Sequence, residues 1–442
     1  MPRVATGYDP HALAGARPQD RHAVYRRLHE QGPIFVADLD AWIVTRYADV
    51  RQVLLDREHF TAAGSIGIDQ FEAFPPEVRA VFDTGFERFP GIIEMDPPEH
   101  TRYRALVDAA FKPRRVAALG QAFRDIAHRL IDRFAGAGHT DLIAAFSIPY
   151  PMAVICHVIG IPDEDLAEVH RMSAGFAALE AGVIWHRPLE EQVASAKQFV
   201  AFQRYAAALV EERRANPTDD LLSLLVRSTL DGSTENGSTQ HVSTQNGSTL
   251  DGRRGITLEE AISWVIHLLF AGHETNARSL GTTIHALLSE PRLWRAITTD
   301  PSVIPNVVEE GLRLEPPVTY HTRTTVRAVT ISGVEIPPGS VVHVVFAAAN
   351  RDAAVFPEPA VFDPARRNIS RHFGFGWGIH HCVGAPVARL ESRIALEALA
   401  ERLPNLRLAP TAAERERHPM LRGLEHLLVE WSTSDGRPDT DM

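Results

Sequence analysis

The sequence predicts a mainly helical protein with a minor β region. Apolar residues recur at helical spacing over most of residues 117–227 and again over residues 257–291. The β-type runs are short, and they lie in residues 34–45 and 318–345, where turn-forming residues separate them. Together these patterns favour an α-rich fold that carries a few small sheets.

The composition is that of an ordinary globular protein. Of the 442 residues, 45% are hydrophobic and 23% are charged, which is enough to build a large core. The net charge of −11 argues against nonspecific nucleic-acid binding, which needs a basic surface. With two cysteines, a disulfide framework is not expected and a reducing compartment fits best. Residues 1–10 lack the apolar core of a signal peptide, and no run of about 18 apolar residues exists. We therefore expect a cytoplasmic protein that does not bind membranes.

Helix and strand patterns alternate in the N-terminal part of the chain. Residues 21–31 show a polar-faced helical pattern that ends at a Gly-Pro pair. Residues 34–36 and 42–45 are β-type runs around a short acidic turn, which predicts a hairpin. Residues 47–55 return to helical spacing.

A further helix is predicted to begin after Asp96 and two prolines. It contains His100 and Arg104, which share one helix face because they lie four positions apart. Both side chains can donate to an anion, and an ordinary exposed pair is the alternative. The irregular apolar sequence from residue 61 to 90 predicts a loop that borders a site, or else a variable surface loop.

The helical pattern of residues 117–227 is punctuated by prolines and followed by a repetitive segment. Within it, Cys156 lies in an apolar run and is predicted to be a small buried side chain. Residues 228–255 are rich in Ser, Thr, Gly and Asn and repeat the motif Ser-Thr-Leu-Asp-Gly. Such a segment buries too little apolar surface to offset its ordering entropy, so we expect a disordered loop without an assigned function.

A single long helix is predicted from Thr257, its N-cap, to the residue before Pro291. At 1.5 Å per residue it would be about 45 Å long. Its middle, Ala271-Gly272-His-Glu274-Thr275-Asn, places a small pair beside a carboxylate and a hydroxyl in an apolar run. Gly272 permits close approach of a flat ligand, and Thr275 can point into a groove. An apolar helix with a kink is the alternative.

Glu310 and Arg313 lie three positions apart on a later predicted helix. Most such pairs are surface salt bridges of small effect. Here leucines and a diproline surround the pair, which favours a buried position. Strand-type sequence follows from Val318 to residue 345.

The most informative stretch is the glycine-rich run from Phe373 to Gly384, which contains Cys382. Four glycines in twelve residues let the backbone turn tightly and approach another group closely. Pro386 suits the first turn of a following helix, which places the cysteine at a helix N-terminus. There the thiol ionises readily and can act as a nucleophile or a metal ligand. The alternative is a glycine-rich turn with a structural cysteine.

The spacing Phe375-Gly376-x-Gly-x-His380-x-Cys382-x-Gly384 resembles the haem-binding loop of the cytochrome P-450 family. The resemblance covers about residues 20 to 431 and is broken only by the repeat. It implies the cytochrome P-450 fold, with residues 1–442 as a single haem-thiolate domain. It also implies haem b as the cofactor, with Cys382 as the proximal thiolate ligand of the iron.

Other positions of the sequence resemble functional positions of the family. Glu274 and Thr275 resemble its acid and alcohol pair, which manages protons and oxygen. Arg366 resembles the arginine that completes a buried network with Glu310 and Arg313. The resemblance implies haem contacts for His100, Arg104, Ala271, Gly272, Arg323, Phe375, Gly376, His380 and Gly384. It implies an apolar substrate pocket that contains Phe89, Ile92, Ile93, Trp185, Phe270, Val318, Met420 and Leu421.

By resemblance the protein is a monooxygenase that inserts one atom of O₂ into an apolar organic substrate. No flavin or iron–sulfur module follows residue 442, so we expect electrons from a separate ferredoxin with its reductase, or from a flavodoxin. Basic contacts for an acidic donor are expected from Arg114, Arg115, Arg366, Arg367, Arg371 and Arg389. A hydrogen-peroxide-driven peroxygenase and a noncatalytic haem sensor are the alternatives; the acid and alcohol pair argues against the first.

Overall fold

The computed structural model describes residues 8–16, 18–65, 74–180, 187–230, 249–250, 253–254, 256–410, 413–416 and 418–432. These residues form two compact units. Unit 1 comprises residues Met1–Ser65, Val116–Pro151 and His273–Met442, and unit 2 comprises Ile66–Arg115 and Met152–Gly272. The prediction that the whole chain forms a single domain stays a prediction.

Helices dominate the described residues, as the sequence predicts. The helices are α1 (Pro10–Gly15), α2 (Pro18–Gln31), α3 (Tyr47–Leu55), α4 (Pro76–Phe82), α5 (Glu99–Ala110), α6 (Pro113–Ala118), α7 (Gly120–Asp132), α8 (Pro149–Ile159), α9 (Leu166–Glu180), α10 (Leu189–Ala215), α11 (Leu221–Leu230), α12 (Leu258–Ser289), α13 (Pro291–Thr299), α14 (Ile304–Leu314), α15 (Phe346–Ala349) and α16 (Ala385–Arg402). None of these described helices combines the length and apolar character needed to cross a bilayer.

The strands are short, which confirms the prediction of a minor β region. They are β1 (Ile34–Val36), β2 (Ala41–Val44), β3 (Phe60–Thr61), β4 (His139–Asp141), β5 (Thr249–Leu250), β6 (Arg253–Arg254), β7 (His321–Thr325), β8 (Val329–Ile331), β9 (Val334–Ile336), β10 (Val341–Val344), β11 (Arg407–Leu408), β12 (Glu414–Arg415), β13 (Leu424–His426) and β14 (Leu428–Glu430). The largest sheet has the order β1-β2-β10-β7-β3.

The predicted N-terminal hairpin is confirmed. β1 pairs with β2 in antiparallel register, with Ile34 opposite Ile43 and Val36 opposite Ala41. β2 then pairs in parallel with β10, a strand about 300 residues later in the chain. Because β2 lies between two partners, its four residues are all buried. This sheet lies within unit 1.

One hydrophobic core of unit 1 connects the sheet to the glycine-rich run. It contains Val50 of α3, Val342 and Val344 of β10, and the side chains of Phe356 and Phe373. Phe373 is fully buried, and it is the first residue of that run. The core therefore fixes the start of the loop that carries Cys382.

Unit 2 is built largely from helices that bury aromatic side chains. Phe199 of α10 stacks on Phe176 of α9 at a centroid distance of 5.6 Å and meets Phe82 of α4 edge-on at 6.1 Å. Tyr103 of α5 lies 6.0 Å from the ring of Trp264 on α12. Such aromatic pairs contribute about 0.5–1.5 kcal/mol each beyond their buried area.

The predicted start of the long helix is confirmed by its cap. The Glu260 backbone N–H donates to Thr257 Oγ1 at 3.2 Å, and the Thr257 N–H donates to Glu260 Oε2 at 2.7 Å. This reciprocal pair satisfies two N–H groups that would otherwise lack partners. α12 then continues for 32 residues to Ser289.

One strand, β4, lies within the stretch that the sequence predicts to be helical, and the repeat follows that stretch. β4 interrupts the helical stretch, because His139–Asp141 pairs with β14 near the C-terminus, a long-range contact that local periodicity cannot reveal. Most of the repeat at residues 228–255 lies outside the described residues. The described parts of it are the end of α11 and the paired strands β5 and β6. The prediction of a disordered loop stays a prediction.

Candidate functional site

Cys382 lies at the end of a tight loop in unit 1, immediately before α16. Its side chain is exposed, and its backbone N–H donates to the Phe375 carbonyl oxygen at 2.8 Å. Gly376 and Gly378 have φ values of 67° and 73°, a region that residues with a Cβ rarely adopt. This backbone fold presents the sulfur outward from the loop.

The loop is shaped by close contacts that only glycine allows. A Cβ on Gly378 would lie 2.8 Å from the Leu54 carbonyl oxygen at the end of α3. A Cβ on Gly384 would lie 3.8 Å from Cys382 Sγ, which is an ordinary van der Waals distance, so the constraint acts at Gly378. An accessible thiol at a helix N-terminus fits the thiolate ligand of a haem iron.

A cluster that the sequence analysis missed supports this loop from α14. Glu309 accepts hydrogen bonds from Arg389 Nε at 2.6 Å and from His372 Nε2 at 3.1 Å. Arg389 also lies over the Phe375 ring, with 4.5 Å from its guanidinium carbon to the ring centroid. Burial opposes ionisation of Glu309, but the hydrogen bonds from His372 and Arg389 outweigh it and lower its pKa to about 2. The cluster thus connects both ends of the loop to one helix.

We expect Glu309→Gln to destabilise the protein by roughly 2–3 kcal/mol near neutral pH. The pKa of Glu309 is depressed in the folded state, so its contribution is fully present above its unfolded pKa and is lost as pH falls toward about 2. Urea unfolding of both proteins from about pH 7 to about pH 3 should show a deficit that shrinks below about pH 4.5. The exposed Glu290→Gln variant is the control, and an equal, pH-independent deficit in both variants would contradict the assignment.

The structure brings Glu310, Arg313 and Arg366 together in one buried network of unit 1. Glu310 Oε2 accepts from Arg313 Nε at 2.7 Å, and Oε1 accepts from Arg366 Nε at 3.0 Å. Glu310 and Arg313 are fully buried. Arg313 also donates to the backbone carbonyls of Asn350 and Val361, both at 3.0 Å. The network holds the chain segment that precedes the Cys382 loop.

Glu274 and Thr275 occupy consecutive, half-buried positions on α12. Glu274 is hydrogen-bonded to Arg278, whose Nε also donates to Glu416 Oε2 at 2.7 Å. His273 Nε2 lies 3.2 Å from Glu274 Oε1. Burial opposes ionisation of Glu274, but His273 and Arg278 outweigh it, so its pKa is lowered. Glu274 is therefore a carboxylate at neutral pH. Arg278 was missed, although its i,i+4 position relative to Glu274 was a usable signal.

The small residues Ala271 and Gly272 lie side by side in the middle of α12. A Cβ on Gly272 would lie 2.6 Å from Ile155 Cγ1, and both residues belong to unit 2. The missing side chain of Gly272 therefore lets Ile155 pack closely against α12, and the expected haem contact of Gly272 stays a prediction. Ala271, by contrast, is exposed in the middle of a helix whose flanking residues are largely buried.

A second carboxyl group near Thr275 was also missed. Glu391 of α16 is buried, and dehydration raises its pKa well above the ordinary value, despite a hydrogen bond with Asn276 that opposes the change. Glu391 is therefore a neutral acid at neutral pH. Asn276, the residue after Thr275, contacts this acid directly. Only the buried position of Glu391 reveals this, because its helical spacing resembles that of an ordinary exposed residue.

Two further predicted haem contacts lie in unit 1. Arg323 of β7 is buried, and its Nη1 donates to the Thr322 carbonyl at 2.7 Å. Its neighbour His321 is neutral, because burial and the charge of Arg323 lower the pKa of the imidazole to about 3. His380 is the last residue of a one-turn 3₁₀ helix, Gly378–His380, and is half-buried.

His100 and Arg104 lie one turn apart on α5, in unit 2. His100 is buried in the first turn. Arg104 is partly exposed, and its Nε donates to Asp108 Oδ1 at 2.8 Å. The sequence analysis did not anticipate this pairing, although Asp108 follows Arg104 at the i,i+4 spacing.

The predicted apolar pocket residues fall in both units. In unit 2, Phe89, Ile92, Ile93 and Phe270 are half-buried, and the Phe270 ring meets that of Phe176 edge-on at 5.2 Å. In unit 1, Val318 pairs with Leu421 in an isolated antiparallel bridge, and the neighbouring Met420 is half-buried. Trp185 lies outside the described residues.

His267 is a polar residue beside Phe89 that the sequence analysis missed. Together with Phe89, Phe176 and Ser263 it lines a small cavity of unit 2. Its Nδ1 lies 2.7 Å from the Ser263 carbonyl oxygen, so Nδ1 carries the proton when the ring is neutral. Burial lowers the pKa of His267 to about 4, which keeps the ring neutral.

The arginines proposed to contact an electron donor do not form one set. Arg366 is engaged in the network with Glu310, and Arg389 is engaged with Glu309. Both guanidinium groups are thus paired with carboxylates of this chain, and the expectation that they contact an electron donor stays a prediction. Arg367 and Arg371 are exposed.

The chain is similar to known proteins of one family. The family description of cytochrome P-450 matches residues 183–411. Cytochrome P-450 107B1 of Saccharopolyspora erythraea is 37% identical over 440 residues, covering 96% of this chain and 99% of that protein. The mycinamicin IV hydroxylase/epoxidase of Micromonospora griseorubida is 36% identical over 397 residues, covering 89% of this chain and 90% of the relative. The solved haem domain of a Tepidiphilus thermophilus cytochrome P-450 has a TM-score of 0.82 at 28% identity and 97% coverage of both chains.

Proposed function

The chain belongs to the cytochrome P-450 family and is a monooxygenase with haem b as its cofactor, and we propose that Cys382 supplies the thiolate that holds the haem iron. The observation that carries the proposal is the exposed sulfur at the N-terminus of α16, surrounded by glycines. The other cysteine, Cys156, is buried, and burial raises the pKa of its thiol to about 12, so it is unsuited to bind a metal.

The bound haem supplies activation of O₂, so that one oxygen atom enters the substrate and the other leaves as water, with two electrons and two protons consumed. Around it, the chain's own residues provide charge and hydrogen bonds. We assign Arg323, His380, His100 and Arg104 to the haem propionates, since each can donate to a carboxylate. Phe375, Gly376 and Gly384 would contact the haem from the thiolate loop, and Ala271 and Gly272 would do so from α12.

Proton handling is assigned to the pair on α12. Glu274 is ionised and partly accessible, so its carboxylate oxygens can accept hydrogen bonds from water molecules that carry protons toward the site. The Thr275 hydroxyl can pass a hydrogen bond onward from the neighbouring position of the helix. The ion pair with Arg278 holds the carboxylate in one orientation, which fixes the direction of these hydrogen bonds.

The substrate is proposed to be an apolar organic molecule. Phe89, Ile92, Ile93, Trp185, Phe270, Val318, Met420 and Leu421 are its proposed contacts, and all have apolar side chains. Relatives named as hydroxylases of natural products support this class.

Electrons are proposed to come from a separate ferredoxin with its reductase, or from a flavodoxin. Both kinds of donor are acidic, and the exposed Arg367 and Arg371 supply positive charge next to the Cys382 loop in sequence. We propose a cytoplasmic location, because a working thiolate and a second unpaired cysteine fit a reducing compartment.

The function is tested by reconstituting the haem-loaded protein with a ferredoxin, its reductase, NADPH and ¹⁸O₂. Candidate substrates are first selected by the change in the Soret band that accompanies their binding. We expect one ¹⁸O atom per product molecule. Product formed with hydrogen peroxide alone, and not with the redox chain, would identify a peroxygenase. A spectral change without product under either condition would identify a sensor.

We expect Thr275→Val to lower product formation by about tenfold or more, because it removes the hydroxyl but keeps the shape of the side chain. The substrate-induced Soret change should be unaltered. Thr282→Val is the matched control: Thr282 lies on the same helix, and its hydroxyl donates to the Arg278 carbonyl at 3.0 Å. Equal losses in both variants would contradict a specific role for Thr275.

A further inference from the structure

A buried carboxylate follows α14 and is surrounded by arginines. Glu315 Oε2 accepts from Arg21 Nη2 at 2.6 Å, and Oε1 accepts from Arg351 Nη2 at 2.5 Å. The side chain of Glu315 is 8% exposed, and those of Arg21 and Arg351 are 0% and 1% exposed. These residues all belong to unit 1 and lie outside the set assigned to the monooxygenase reaction.

Two further guanidinium groups approach the same carboxylate without hydrogen-bonding to it. Arg422 Nε lies 3.8 Å from Glu315 Oε2, and Arg415 Nη1 lies 4.0 Å from the same atom. Arg422 Nη2 donates instead to the Tyr25 hydroxyl at 2.9 Å. Four guanidinium groups therefore surround one carboxylate, which gives these five side chains a formal net charge of +3.

Several donors of this cluster have no acceptor among the described residues. They are Arg21 Nε, Arg415 Nη1, and both Nε and Nη1 of Arg422. Arg21 and Arg422 are buried, so their N–H groups have also lost bulk water. A buried charged donor without a partner is strongly unfavourable, and it calls for an acceptor.

We propose that the cluster of Arg21, Arg415 and Arg422 beside Glu315 binds a small monovalent anion of the halide class. A halide accepts several N–H donors at once and has no directional requirement. It also brings negative charge, which a water molecule in the same place does not. A halide is small enough to share the cluster with the Glu315 carboxylate.

The pKa shifts of these arginines agree with a buried cluster of positive charge. Burial lowers the pKa of Arg21 to about 9 and also lowers those of Arg351 and Arg415. Only the pKa of Arg422 is raised, against its dehydration, by the neighbouring Tyr25. A bound anion would favour the charged form of all four guanidinium groups.

The first test is the thermal stability of the haem-loaded, full-length protein at constant ionic strength. Protein dialysed into sodium gluconate is compared with the same protein in sodium chloride or sodium bromide. We expect an increase in Tm of about 3 °C with either halide. An unchanged Tm would contradict the proposal.

Variants test whether the halide-dependent increase in Tm arises at this cluster. Arg422→Met should lose the halide-dependent increase in Tm, whereas Glu315→Gln should enlarge it, because the anion then becomes the sole negative charge there. Arg407→Met is the control, since Arg407 is 51% exposed and pairs with Glu430 at the surface. An increase that survives in Arg422→Met would place the halide effect elsewhere and overturn the proposal.

Crystals grown from bromide provide a readout that does not depend on any variant folding. We expect an anomalous peak within hydrogen-bonding distance of guanidinium nitrogens of Arg21, Arg415 and Arg422. Electron density for water alone at that place, without an anomalous signal, would overturn the proposal. None of these measurements uses catalysis, so a failure of the anion proposal is distinguishable from a failure of the monooxygenase assignment.

Discussion

Replacing Cys382 with serine is expected to abolish monooxygenation. The hydroxyl of serine is a poor substitute for a thiolate, and the electron donation that a thiolate ligand gives to haem iron is lost. The Soret band of the ferrous carbon monoxide complex should lose its thiolate position. Turnover with the redox chain and this spectrum, measured on the same preparation, check the prediction. A variant that keeps the thiolate spectrum would show that Cys382 is not the ligand.

Cys156→Ala is the matched control for that experiment. Cys156 is the other cysteine of the chain, and its side chain is buried among the apolar residues of α8. Its removal should cost about 1 kcal/mol of unfolding free energy and leave both the spectrum and the turnover intact. If Cys156→Ala lost the spectrum as well, general damage to the fold would explain both results.

Glu310→Ala is expected to have the largest effect on stability. Removing this carboxylate leaves the guanidinium groups of Arg313 and Arg366 facing each other without a counter-charge in a buried network. Breaking such a network costs about 3–5 kcal/mol, because the remaining charges have lost both water and partner. Urea unfolding followed by far-UV circular dichroism measures the loss, together with the fraction of protein that retains haem.

Glu58→Ala provides the comparison on the surface. Glu58 Oε1 accepts from Arg327 Nη1 at 3.0 Å, and the side chains of Glu58 and Arg327 are 70% and 67% exposed. Solvent screens such a pair, so its loss should cost at most about 1 kcal/mol. Similar losses in Glu58→Ala and Glu310→Ala would contradict the special position of the buried network.

The sequence predicted the elements whose signals are local. The cap at Thr257 and Glu260, the hairpin of β1 and β2, and the bounds of α3 all depend on neighbouring residues, and the structure confirms each of them. The glycine-rich loop could also be predicted from the sequence, because its spacing and the Pro386 that follows Cys382 are contained in about fifteen residues.

The contacts that hold the candidate site in place were less predictable. Glu309 meets Arg389 across 80 positions of the chain, and Arg278 meets Glu416 across 138. Charged residues in such positions have the helical spacing of ordinary exposed side chains, so periodicity cannot reveal their partners. The packing of Ile155 against Gly272 was missed for the same reason, since nothing near Gly272 in sequence indicates it.

The contact between Arg278 and Glu416 has a practical consequence for engineering. Glu416 follows β12, and Met420 and Leu421, two proposed substrate contacts, lie only a few residues further along the same segment. Exchanging this C-terminal segment to accept a new substrate would also release the arginine that steadies Glu274. Selectivity and the efficient use of reducing equivalents are therefore not independent design targets in this enzyme, and libraries that vary Met420 and Leu421 should leave Glu416 fixed.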